Sequence, residues 1–97
     1  MEQLQKIETK LIIGTGGERL RLDYCLLRDA ETNSYGVEVI LTDHLGSCRA
    51  QYPRLSGSCR EVTALIHRLA FGCILPQTML RRLGQREKTG QAEQTMV

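Results

Sequence analysis

Ninety-seven residues, 41% hydrophobic and 25% charged, suffice for one domain around a single core, and so ordinary a mixture suggests neither a collagen-like nor a membrane class nor disorder throughout. Thirteen basic against eleven acidic residues leave a formal charge of +2, too weak a field to argue for nucleic acid on its own. No apolar run approaches the ~18–20 residues of a spanning helix. The amino terminus carries no basic-then-apolar leader, and Cys25, Cys48, Cys59 and Cys73 are spread singly, as structural thiols are in a reducing compartment, so a cytoplasmic protein without membrane contact is expected.

Polarity is mirror-symmetric about Gly16-Gly17. Two glycines can adopt the positive φ angles of a primed two-residue turn, which would set Ile13 opposite Leu20, Leu11 opposite Leu22, Thr9 opposite Tyr24, Ile7 opposite Leu26 and Lys10 opposite Asp23. Alternation then predicts two antiparallel strands, about 4–13 and 19–28, with their apolar partners on one face. The cluster Glu31-Thr32-Asn33-Ser34 predicts a loop in which Asn33 is left-handed. Tyr35, Val37, Val39 and Leu41 point one way in a third strand, and beyond a turn at 43–47 so do Cys48, Ala50 and Tyr52 in a fourth. Pro53 cannot donate a ladder hydrogen bond, which puts that strand at an edge or ends it. Connections this short join neighbours in space, and a four-stranded meander follows.

After Gly57 the period changes from two to helical. Ser58 and Glu61 form a capping-box pattern, Val62, Leu65, Ile66 and Leu69 recur on one stripe, and Gly72 is placed to take the left-handed conformation past the last turn. Pro76 opens a short second helix, about 77–83, with Met79, Leu80 and Leu83 apolar and Gly84 as its stop. Neither the sheet nor the first helix can bury its apolar side alone, so the fold class expected is α+β: a four-stranded antiparallel β-meander covered on one face by a helix, then a short second helix. Residues 1–84 would form this domain, and 85–97, nearly devoid of apolar side chains, a disordered tail.

Three segments, Tyr35-Gly36-Val37-Glu38-Val39, the switch into a helix at Ser58, and Leu69-Ala70 followed by Ile74-Leu75-Pro76-Gln77-Thr78-Met79-Leu80, give the chain a family likeness. It resembles the small bacterial proteins grouped as the domain of unknown function 6514 family, over roughly residues 9–83. In that family the last helix tends to be acidic where this chain has Arg81-Arg82. The resemblance implies the fold and brings no activity, cofactor or catalytic residue.

Candidate chemistry is sparse. Gly14-Thr15-Gly16-Gly17 leads into a strand and not into a helix whose amides could hold an anion, so it reads as a turn. His44 falls in a turn and His67 on the solvated side of the helix, neither with a carboxylate or cysteine at a spacing that would orient it. No catalytic, cofactor-binding or metal-ligating set is expected, and no enzyme. Cys59, first in the capped helix and beside Arg60, is the thiol with a physical case for reactivity, since the positive end of the helix dipole favours thiolate; a redox sensor is one alternative function. Nucleic-acid binding through the basic residues Arg81, Arg82, Arg86 and Lys88 is another. The first-ranked expectation is a protein-interaction or regulatory accessory module. On the face of the sheet turned to water, Ile12, Cys25, Leu27 and Ile40 interrupt the charges and would form a patch for an unknown protein partner or for self-association as a homodimer. An open edge strand could also pair with a second copy.

Overall fold

Alternation along the chain does produce four strands. In a computed structural model, which describes residues 2–84, β1 (Glu2–Ile13), β2 (Arg19–Asp29), β3 (Ser34–Asp43) and β4 (Gly46–Ser56) pair antiparallel in the order β1-β2-β3-β4. The helix α1 (Cys59–Phe71) lies against one face, and a second helix, α2 (76–84), follows it. The α+β class and the meander are as the pattern predicts; the tail expected at 85–97 lies outside the described residues.

The inward set on the inner strands follows the predicted parity. Leu22, Tyr24 and Leu26 of β2, Val37 and Val39 of β3 and Ala50 of β4 pack with Val62, Ile66, Leu69 and Ala70 of α1 in one buried cluster. Met79 and Leu83 of α2 join it, while Leu80, the third apolar position expected in that helix, is exposed. Tyr24 is wholly buried and donates its hydroxyl proton to the Ile74 carbonyl at 3.0 Å, so β2 is tied to the connection between the helices. That placement pushes its hydroxyl well above the usual tyrosine range, through burial first and then the neighbouring Cys73 and Glu8.

The first hairpin departs from expectation by one position. Gly17, at φ 83°, sits as the left-handed residue after a turn over residues 14–17, in which its N–H donates to the Gly14 carbonyl; the Gly14 N–H in turn donates to the Glu18 carbonyl at 2.8 Å. This is a three-residue loop closed by a glycine bulge, and not the two-residue primed turn. The extra loop residue shifts the ladder: Ile12 faces Leu20, Leu11 faces Arg21, Lys10 faces Leu22 and Thr9 faces Asp23. A β-bulge between Lys6 and Glu8 shifts it once more, so that Lys6 faces Cys25 and Leu4 faces Leu27. Ile12 and Ile7 therefore pack against the core, and Leu11 and Ile13, predicted inward, turn out to solvent.

Helix ends are capped with small changes from the sequence pattern. The Ser58 hydroxyl accepts from the Glu61 N–H, but the Glu61 carboxylate accepts from the Ser56 hydroxyl, which itself accepts the Ser58 N–H. The reciprocal half of the box thus runs through Ser56. At the other end Cys73, at φ 49°, takes the left-handed place expected of Gly72, whose φ is −86°. Cys73 N–H donates to the Ala70 carbonyl and Ile74 N–H to the Leu69 carbonyl, a pair of bonds that puts Ile74 back onto the core beside Leu69.

β4 runs on past Pro53 instead of ending there, since it is the edge strand and its outer side needs no ladder bond. An irregularity between Tyr35 and Val37 takes up the proline, with Arg54 left-handed at φ 59°.

Candidate functional site

The face of the sheet away from α1 carries Asp23, Cys25 and Leu27 from β2 with Gly36, Glu38 and Ile40 from β3, as parity requires. No secondary-structure element among the described residues covers it, yet its centre is sealed: Cys25 is 1% exposed and Leu27 4%. Two features seal it. The irregular turn of β4 folds across Gly36, where a Cβ would lie 2.4 Å from the Tyr52 carbonyl oxygen and 2.6 Å from the Pro53 Cα, so glycine alone admits that backbone. Long polar side chains cover the rest.

Those side chains gather around two buried carboxylates. Asp23 accepts the Thr9 hydroxyl at 2.7 Å and lies 3.5 Å from Lys6 Nζ and 3.2 Å from Arg21 Nε. Glu38 accepts the Gln51 amide at 2.7 Å, with Arg49 Nη1 at 3.9 Å. Burial acts to raise the Asp23 pKa, but the Thr9 bond and the charges of Lys6 and Arg21 outweigh it and hold the carboxyl below its ordinary range. Between the two acids Cys25 is pushed the other way, by burial first and then by Glu38 and Asp23, and stays a protonated thiol at neutral pH. Each carboxylate accepts a side-chain hydrogen bond and has a cation beside it, and among the described residues no buried side-chain nitrogen or oxygen lacks a partner.

The predicted patch does not assemble. Ile40, opposite Asp23, is half-buried on the same open face as Cys25 and Leu27, whereas Ile12 lies on the α1 side and packs against the core, because the longer first loop inverted its parity. Exposed apolar surface on the open face comes from β1 instead: Leu11 is 79% exposed, Ile13 67% and Leu4 52%. Leu11 and Ile13 also line a shallow cleft of about 410 Å³ with Leu20, Arg21 and Thr42. The clue to these residues in the chain was glycine count: four residues with three glycines between Ile13 and Glu18 suit the longer loop as well as the shorter.

His67, expected to lack an orienting partner, has one from far along the chain: its Nδ1 lies 2.8 Å from Glu8 Oε2, which joins α1 to β1 across 59 positions. Cys59 is exposed in the first turn of α1, with its sulfur 3.8 Å from the Thr63 hydroxyl, and lines a cleft of about 460 Å³ with Gln3, Gln5, Arg28 and Tyr35. A third cleft, of about 630 Å³, runs between α1 and the end of β4 past Leu55, Arg60, Leu65, Arg68 and Leu83. Arg81 and Arg82 are exposed on α2; Arg86 and Lys88 lie outside the described residues. Among the described residues no three histidine, cysteine or acidic side chains come together as a metal site, and no helix is long and apolar enough to cross a membrane.

Fold and site together define an α+β domain whose single sheet, among the described residues, leaves one face and both edges without a covering element. No family model, curated protein or solved structure matches the chain.

Proposed function

We propose that this is a cytoplasmic, non-enzymatic protein-interaction module of accessory or regulatory role, and that it receives its partner along β1. The observation that carries this reading is the difference between its two edges. β4 is blunted in the way sheet proteins guard an edge, by a proline and a left-handed residue at its irregularity, whereas the bulge in β1 carries neither. β1 extends over twelve residues without proline or glycine and presents Leu4, Leu11 and Ile13 to water along its open-face side. A strand of that kind offers backbone hydrogen bonds for affinity and a row of alternate side chains for selectivity. The four cysteines, all unpaired, accord with a reducing compartment.

The test is affinity capture with three forms of the chain: wild type, L11D/I13D, and R81E/R82E. A bound protein lost with the strand variant and retained with the helix variant is the expected result. Retention by L11D/I13D, or loss with R81E/R82E in its place, overturns the assignment to β1.

A further inference from the structure

We infer that the partner received by β1 is a second copy of the same chain, joined antiparallel about a twofold axis at Thr9 to make one continuous eight-stranded sheet; this rests on the reading of β1 as the docking strand. The strand is self-complementary in charge. In the register centred on Thr9, Glu8 of each copy stands opposite Lys10 of the other, which forms two cross-strand ion pairs on the α1 side. Glu8 has one carboxylate oxygen, Oε2, occupied by His67, and its other oxygen is left to receive the lysine. Lys10 is half-buried and has no ion-pair partner among the described residues.

The bulge at Ile7 completes the match. By removing one residue from the ladder in each copy it sets Leu11 opposite Lys6, Ile12 opposite Gln5 and Ile13 opposite Leu4. On the open-face side Ile13 of each copy then meets Leu4 of the other, and the methylene stem of Lys6, whose ammonium is turned toward Asp23, covers Leu11. A lysine on an edge strand ordinarily repels a second strand. Here the acid two residues before Lys10 cancels that repulsion in the twofold register, and in any arrangement that sets Lys10 against Lys6 the repulsion remains. Closure by a twofold also consumes the open edge, leaving the blunted β4 at both ends of the enlarged sheet.

Charge reversal tests this directly by sedimentation velocity over a range of protein concentrations. Wild type should pass from 11.0 kDa to twice that mass, and E8K and K10E should each associate at least tenfold more weakly. An equimolar mixture of the two variants should recover the dimer, since all four facing positions are then of opposite charge. Circular dichroism of each variant checks that it is folded. If E8K fails that check through loss of the His67 bond, amide exchange decides the matter: β1 amides of wild type should gain protection as concentration rises and those of K10E should not. A wild type that stays monomeric throughout, or variants that dimerise as wild type does, overturn the inference. A monomeric wild type that still captures another protein in an L11D-sensitive way overturns the second copy and leaves β1 as the docking strand.

Discussion

Cys25 shows how far side-chain parity carries and where it stops. Alternation places it on the face away from α1, and it is there, but facing away from the helix is not the same as facing water. Lys6, Arg49 and Gln51 come from strands on either side of it, and their reach, unlike their parity, cannot be read without the register. The consequence is measurable with iodoacetamide at neutral pH. Cys48 and Cys59, both exposed, should be alkylated in the folded protein, while Cys25, buried and held as a thiol between two carboxylates, should react only after unfolding; peptide mass spectrometry reads each site. Modification of native Cys25 at the rate of Cys48 would show that the polar cover does not close. Cys73 teaches a similar lesson, since it takes up a left-handed conformation disfavoured by about 1–2 kcal/mol, although Gly72 stands beside it. The bond from Ile74 to the Leu69 carbonyl and the burial of both side chains choose the residue that turns, and both belong to tertiary packing.

β1 is where local pattern and final structure part. Its sequence, Thr9-Lys10-Leu11-Ile12-Ile13, has apolar residues at three successive positions, so both parities offer an inward isoleucine and the turn must decide between them. Gly17 decides for the longer loop by taking φ 83° as a bulge residue. Substitution discriminates the two registers cleanly. Ile12→Asp puts a carboxylate against the core and should lower stability by roughly 2 kcal/mol or more. Leu11→Asp, on a side chain that meets water, should change it by no more than about 0.5 kcal/mol. Urea midpoints of the monomeric proteins measure both, and the reverse order would restore the two-residue turn. By contrast β2 and β3 were legible because apolar and charged or small residues alternate over Arg21-Leu22-Asp23-Tyr24 and Gly36-Val37-Glu38-Val39, and α1 because its stripe coincides with a capped start at Ser58.

Acid should loosen the domain through the open face. Asp23 has its pKa depressed in the folded state, so as pH falls the unfolded chain takes up a proton first. Its contribution is whole above the ordinary carboxylate value, about pH 4, and is lost as pH drops through the lower folded value. Thermal unfolding between neutral pH and about pH 3 should show that loss in wild type and a flatter profile in D23N, which has no carboxylate to protonate. Equal slopes would mean that Thr9, Lys6 and Arg21 do not stabilise the charged form. The division between chain and fold is now visible. Periodicity and turn residues were enough to specify four antiparallel strands, the helix that covers them and the inward residues of β2 and β3 with Ala50 and Tyr52 of β4, because those signals are local and repeat along each segment; Cys48, expected inward at the start of β4, is exposed. Which way β1 faces, the Glu8–His67 contact, the sealed carboxylates and the bare edge depend on contacts between residues far apart in sequence, and such contacts exist only once the sheet has closed on its helix.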